Sequence, residues 1–457
     1  MKTVLGNYTS VYFLGIGGIG MSALARYFNL SGISVSGYDK TPSPLTETLE
    51  KEGINIHFED FGADVLKQIG TPENTLIVYT PAIPKDHKEW NVLKENNFKI
   101  IKRAEVLGMI TRFSKGLAVA GTHGKTTTST LLAHLLHETV GCNAFLGGIS
   151  SNYNTNYLSS ESSPFTVIEA DEFDRSFLQL SPFASIITSA DPDHLDIYGD
   201  AETFRLGFEE YAKKIDKDGF LIVRKGIELQ TSAKTFTYAV GNSEADFNGH
   251  NLRYENGRFL IDVTLPYEVM TDVELGLPGW HNAENAVGCI ALCYQLNLDL
   301  EAIREGLKTF KGVKRRFEYH FKSQNLIYID DYAHHPTELK ALLGSVSSLY
   351  PDKKKIGIFQ PHLFTRTRDF MDGFAEQLSR LDELILLPIY PARELPIAGI
   401  TSEILLEKVT SANKKVLSKE ETIAYLKDVK AGVVLTIGAG DIDRLVPEIT
   451  QNFKNNV

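Results

Sequence analysis

Short apolar runs alternate with amphipathic helical stretches along most of the chain, the pattern of parallel sheets covered by helices. The pattern predicts strands over 10–14, 33–38 and 75–79 and helices over 21–31, 44–52 and 86–95. It restarts with a strand at 117–120, a helix from 126 to 138, and strands at 165–170 and 184–188. Between 221 and 275 the period changes to two without clear helices, which predicts a small antiparallel sheet inserted in or packed on the second domain. Helices resume at 282–296 and 300–310, and a third series carries strands near 326–330, 356–359, 383–387 and 433–437. The restarts put domain boundaries near 105 and 314, giving 1–105, 106–314 and 315–457.

A length of 457 residues suits three such domains. The 47 Lys and Arg against 58 Asp and Glu leave a net charge of −11, which argues against nucleic acid or an anionic membrane surface as a partner. The longest apolar candidate, 11–25, is interrupted by four glycines and falls short of the ~18 residues that cross a bilayer, so no membrane insertion is expected. It fits a strand running through a turn into a helix better than a signal peptide. Cys142, Cys289 and Cys293 are too few and too oddly spaced for a disulfide framework or a zinc site. The last two lie one helical turn apart in an apolar segment, as core residues would, and the reducing cytoplasm is the expected compartment.

Two glycine loops carry the chemistry. Gly15-Ile16-Gly17-Gly18-Ile19-Gly20 follows a predicted strand, opens a helix, and has Asp39 at the end of the next strand. Such a turn brings backbone amides and a helix N-terminus to a diphosphate, whether of a dinucleotide or of a UDP-sugar. The second loop, Gly121-Thr122-His123-Gly124-Lys125-Thr126-Thr127-Thr128, also lies between a strand and a helix. There the amides surround the phosphates of ATP, the lysine reaches the β/γ oxygens and a hydroxyl holds Mg²⁺. Val119 replaces the first glycine of the general pattern. Glu169-Ala170-Asp171-Glu172 ends an apolar strand where a metal carboxylate belongs, and Glu169 is the preferred Mg²⁺ ligand. Asp191-Pro192-Asp193-His194-Leu195-Asp196 offers His194 to a second Mg²⁺, or forms an ordinary helix-capping turn.

These elements in this order resemble the Mur ligases, the ATP-dependent amide-forming enzymes of peptidoglycan precursor synthesis, over nearly the whole chain. The resemblance extends to Gly279-Trp280-His281-Asn282-Ala283-Glu284-Asn285-Ala286, Lys314-Arg315-Arg316-Phe317-Glu318 and Asp330-Asp331-Tyr332-Ala333-His334-His335-Pro336-Thr337-Glu338. It implies a Rossmann-like parallel sheet at the N-terminus for the UDP-sugar, a P-loop ATPase-type α/β domain in the centre, and a Rossmann-like α/β domain for the amino acid at the C-terminus. Gly15-Ile16-Gly17-Gly18-Ile19-Gly20-Met21-Ser22, Tyr390-Pro391-Ala392-Arg393-Glu394 and Gly438-Ala439-Gly440-Asp441-Ile442 look most like the alanine-adding branch, whose substrates are UDP-N-acetylmuramate and L-alanine.

By that resemblance, His281, Asn282 and Asn285 face the adenine, and Asp330 lies near the ribose or phosphates. Arg316 reaches from the third domain to the transferring phosphate, while adjacent Arg315 and Arg316 on an irregular segment are not expected to point inward together. Tyr332, His334 and Arg366 form the amino-acid pocket, Arg366 pairing with the carboxylate. Closure of the third domain is expected before phosphoryl transfer. Leu363 stands where many alanine-adding members have a basic residue, so the contact made there is either absent or supplied by another side chain, for which Arg368 is the candidate. No lysine occurs from Asp196 through Ala212, where members adding later residues carry a carbamoylated one. The readings left open are a ligase joining a preformed tripeptide during wall recycling, an NAD-dependent oxidoreductase, and a nucleotide switch without catalysis; the oligomeric state is not legible.

Overall fold

The computed structural model describes residues 5–191, 198–256, 258–392 and 394–455. The chain divides into two compact units, one holding Met1–Leu277 with Asn282–Lys311, the other Pro278–His281 with Gly312–Val457.

The first unit contains two sheets. Strands β1 (Ser10–Leu14), β2 (Ser34–Tyr38), β3 (Asn55–His57), β4 (Thr75–Tyr79) and β5 (Lys99–Lys102) form a parallel sheet in the order β3-β2-β1-β4-β5. Both faces are covered, as parallel sheets require: Val11 and Phe13 enter one core cluster, while Tyr12 and Leu14 enter another. The strand order reverses between β1 and β4, so the glycine loop that follows β1 sits at the switch point, where such sheets bind ligands.

The second sheet has ten strands: β6 (Lys115–Ala120), β7 (Asn143–Phe145), β8 (Tyr157–Leu158), β9 (Phe165–Ala170), β10 (Ala184–Ile187), β11 (Phe220–Arg224), β12 (Lys234–Val240), β13 (Phe247–Glu255), β14 (Arg258–Thr264) and β15 (Val269–Leu275). Their order is β15-β14-β13-β12-β11-β10-β6-β9-β7-β8. The small antiparallel sheet expected between 221 and 275 forms as part of this mixed sheet, over its last three strands only. β11, β12 and β13 continue the central sheet in parallel register, and only β13, β14 and β15 form an antiparallel meander at its edge. The connection 225–233 carries no helix, so the alternation that signals parallel pairing is missing from the sequence there. Cys289 and Cys293 are fully buried in the helix Trp280–Gln295, as the apolar spacing predicts.

The second unit is built on β16 (Glu318–Lys322), β17 (Leu326–Asp331), β18 (Lys355–Phe359), β19 (Glu383–Leu386), β20 (Asn413–Val416) and β21 (Gly432–Ile437), in the order β16-β17-β21-β18-β19-β20. All pairs are parallel except the edge strand β16. Among the described residues no helix is long and apolar enough to cross a membrane.

Candidate active site

β6 delivers the chain into the phosphate loop, and Gly124, at φ +82°, begins the helix Lys125–Thr139. The turn is held against the end of β10. The Thr188 hydroxyl donates to the His123 carbonyl at 2.5 Å, the His123 N–H donates to Ser189 Oγ at 2.8 Å, and the Thr122 hydroxyl donates to the Asp191 carbonyl at 2.7 Å. Gly121, at φ +137°, has no room for a side chain, since a Cβ would lie 2.8 Å from the Ser189 nitrogen.

The acidic run after β9 divides between two tasks. Thr126 Oγ1 donates to Glu169 Oε1 at 3.1 Å, bringing together two oxygens that suit a hard divalent cation. The Glu169 carboxyl group lies directly over Gly147, where a Cβ would stand 2.7 Å from Cδ. Glu172, 1% exposed, instead pairs with Lys125, its carboxylate oxygens 2.7 and 2.8 Å from Nζ; Nζ also donates to the Gly121 carbonyl at 2.8 Å. Burial works to deprotonate Lys125, but Glu172, Asp171 and Glu169 outweigh it and hold the amine above its ordinary pKa. Burial pushes the Glu172 carboxyl up, with Lys125 pulling it partly back. The sequence motif locates this acidic run without dividing it, because residues three apart across a strand end point at different partners.

Asn285 stands against the phosphate loop: a Cβ on Gly124 would lie 3.0 Å from its Oδ1. Asn282, Asn285 and Thr127 line a narrow pocket walled by Leu131, Leu277 and Phe310. His281 belongs to the other unit, its Nδ1 3.5 Å from the Ser345 hydroxyl.

In the first glycine loop, Gly15 adopts φ +87°, and a Cβ there would lie 2.5 Å from Thr80 Cγ2. The Gly17 N–H donates to Asp39 Oδ2 at 2.7 Å and the Thr41 N–H to Asp39 Oδ1 at 3.2 Å, so Asp39 shapes the loop directly. Gly18, Ile19 and Gly20 line a cleft of about 280 Å³ together with Arg103, Glu169 and Asp171. Arg103 is absent from the motif reading; it starts the helix Arg103–Thr111 far from either loop in sequence.

In the second unit Asp330 is 1% exposed; it accepts from the Thr436 hydroxyl at 2.6 Å and lies 3.4 Å from Arg315 Nε. Burial raises its pKa, and that of Asp331 to about 6. Glu318, His320 and Asp330 bring potential ligand atoms within 4.8 Å of one another, but Asp330 also faces the Arg315 guanidinium, which disfavours a cation there. Contrary to expectation, Arg315 and Arg316 approach one ring together, their guanidinium carbons 5.0 and 5.1 Å from the Tyr332 centroid. Left-handed backbone at Arg315 (φ +62°) and Phe317 (φ +51°) turns the segment so that both can do so. Arg316 also lies 3.8 Å from Glu338. His334 Nδ1 donates to the Tyr332 carbonyl at 2.8 Å, and burial lowers its pKa. Arg366 donates to His362 Nδ1 at 3.2 Å; burial and then Arg366 push that imidazole down to about 4. Leu363, at φ +71°, precedes the helix Phe364–Asp369, and Arg368 pairs with Asp369 at 2.7 Å. Tyr332, His334, Arg366 and Arg316 thus share one unit with the loops around β17 and β18. His194, expected at the metal, lies outside the described residues.

A strand-borne phosphate loop, a carboxylate on the neighbouring strand bonded to that loop, and a second glycine loop whose cleft the same carboxylate lines are the arrangement of a nucleotide-dependent ligase. The chain belongs to the Mur ligase family: residues 10–115 match its catalytic domain, 119–293 its middle domain and 315–440 its glutamate ligase domain. It is 52% identical over 448 residues to a UDP-N-acetylmuramate–L-alanine ligase of Parabacteroides distasonis, covering 97% of each chain. It is 49% identical over 454 residues to the enzyme of that name from Flavobacterium johnsoniae, covering 99% of this chain and 100% of the relative. The crystal structure of the UDP-N-acetylmuramate-alanine ligase of Thermotoga maritima superposes with a TM-score of 0.82 at 28% identity, over 98% of this chain and 100% of that one.

Proposed function

We propose that the chain uses ATP to join L-alanine to the lactyl carboxylate of UDP-N-acetylmuramate. The observation that carries this reading is that Glu169, hydrogen-bonded to Thr126 of the phosphate loop, lines the same cleft as Gly18, Ile19 and Gly20. A phosphoryl donor bound at one loop and a carboxylate presented from the other would therefore meet in one cleft. We assign 1–105 to the UDP-sugar, 106–314 to ATP and 315–457 to the amino acid, with the cytoplasm as the compartment.

A carboxylate is a poor electrophile until its oxygen becomes part of a leaving group. The γ-phosphoryl group of ATP is transferred to the lactyl carboxylate oxygen, ADP leaves, and the alanine amine then attacks the acyl carbon with release of inorganic phosphate. Lys125 leaves Glu172 for the β/γ oxygens, and Arg316 offsets the charge of the transferring group. The paired oxygens of Thr126 and Glu169 suit Mg²⁺, with His194 as a further ligand, and the bound cation would neutralise phosphate charge. Asn282 and Asn285 flank the adenine side beside His281, and Tyr332, His334 and Arg366 receive the amino acid. A coupled ADP assay with UDP-N-acetylmuramate and varied amine tests the reading. Turnover with L-alanine but not with L-alanyl-γ-D-glutamyl-meso-diaminopimelate is expected; nucleotide-independent behaviour, or preference for the tripeptide, overturns it.

A further inference from the structure

The cleft beside the first glycine loop, which reaches the phosphate loop through Glu169, raises a charge problem. Its lining includes two carboxylates, Glu169 and Asp171, and one cation, Arg103. A sugar nucleotide brings further negative charge into that space, and its diphosphate cannot rely on Lys125, which serves the other loop.

Arg103 is positioned for the diphosphate. It begins a helix immediately after β5, so its stem leaves a rigid element. Its side chain packs over Gly20, where a Cβ would lie 3.0 Å from the guanidinium carbon and 3.1 Å from Cδ. Gly20 is therefore bare because the arginine occupies the space above it. The helix Ile19–Leu30 starts at Gly18 with no side-chain cap and no acidic residue in its first turn. Its opening amides precede the helix's own hydrogen-bond ladder and are suited to anionic oxygens. Arg103 Nη2 lies 3.9 Å from Asp171 Oδ2, too far for a hydrogen bond. Arg103 and the residues that carry the opening amides of this helix thus line one cleft together with Glu169.

Resting on the sugar-nucleotide reading above, we propose that Arg103 binds the diphosphate of the acceptor, completing a site for which the glycine loop has no cation of its own. The planar fork can take two phosphate oxygens at once, which a lysine cannot. The lactyl carboxylate would then lie toward Glu169 and Thr126, where phosphoryl transfer takes place.

Calorimetric titration of the full chain with UDP-N-acetylmuramate, with UDP-N-acetylglucosamine, which has the diphosphate but no carboxylate, and with ADP tests this. Arg103→Gln should weaken both sugar nucleotides equally, by about 10- to 100-fold, and leave ADP affinity unchanged. Arg103→Lys, which keeps the charge beside Asp171 but loses the fork, should show a smaller loss for both. A loss confined to UDP-N-acetylmuramate would move Arg103 to the carboxylate and overturn the proposal, as would unchanged binding of both or a parallel loss of ADP in both variants. Failure of the unaltered chain to bind either sugar nucleotide would instead remove the underlying functional reading.

Discussion

The two glycine loops of the first unit share a strand, a tight turn and a helix start, yet handle charge in opposite ways. At 121–125 the cation proposed to meet phosphate is part of the loop and is paired with Glu172. At 15–20 the loop contains no cation, one of its amides is bonded to Asp39, and the nearby guanidinium comes from Arg103. A built-in lysine in a buried loop needs a buried counter-charge, because an unpaired charge there is costly. A loop that borrows its cation avoids that requirement and stays open to the cleft. The difference suits the ligands proposed for the two loops: a triphosphate that must be gripped at its reacting end, and a diphosphate that serves as a handle.

Lys125→Ala tests the built-in side and has the largest expected effect. ADP formation should fall by about 10³-fold or more, with sugar-nucleotide binding retained. The variant also leaves Glu172 buried without its lysine, so unfolding free energy should drop by about 3 kcal/mol. The double variant Lys125→Ala/Glu172→Gln should recover most of that stability in urea titrations and none of the activity. Recovery of neither would mean that the pair does not carry the buried charge. Next in size is Gly147→Ala, whose methyl group occupies the space of the Glu169 carboxyl. Metal-dependent turnover should fall by about 10- to 100-fold, with nucleotide affinity measured without divalent cations unchanged.

Much of the contrast was legible in the sequence because strand, turn and helix are local. Both loops and the carboxylate run follow from residues adjacent in the chain. Arg103 was not legible, since only folding brings β5 beside the start of the helix Ile19–Leu30. Nor was the division of Glu169 from Glu172, as spacing does not say which carboxylate reaches Thr126 and which Lys125. The alternation over 221–275 revealed strands but not their direction, and adjacent Arg315 and Arg316 could share Tyr332 only through left-handed backbone, to which residue type gives no guide.

Asp39→Asn sharpens the borrowed side. The carboxylate accepts from both Gly17 and Thr41, and an amide oxygen with an NH₂ beside it cannot replace both. Sugar-nucleotide affinity should weaken by about 5-fold while ADP affinity stays the same. Equal loss of both ligands would show that the two loops are not energetically separate.

The smallest expected effect is also the most direct test of Glu172 as the group that holds Lys125. Nucleotide must displace that carboxylate, so its apparent affinity is reduced by the fraction of molecules in which the pair is closed. Glu172→Gln removes the charge but keeps the shape, and ADP should bind about 3-fold more tightly. The pH dependence gives the sign. Burial raises the Glu172 carboxyl above its ordinary range, so on acidification it takes up a proton sooner than an exposed glutamate would. The unaltered chain should therefore approach the variant as pH falls, and the advantage of Glu172→Gln should shrink on acidification. An advantage that grows on acidification, or weaker ADP binding in the variant at every pH, would mean that Glu172 supports the nucleotide rather than competing with it for Lys125.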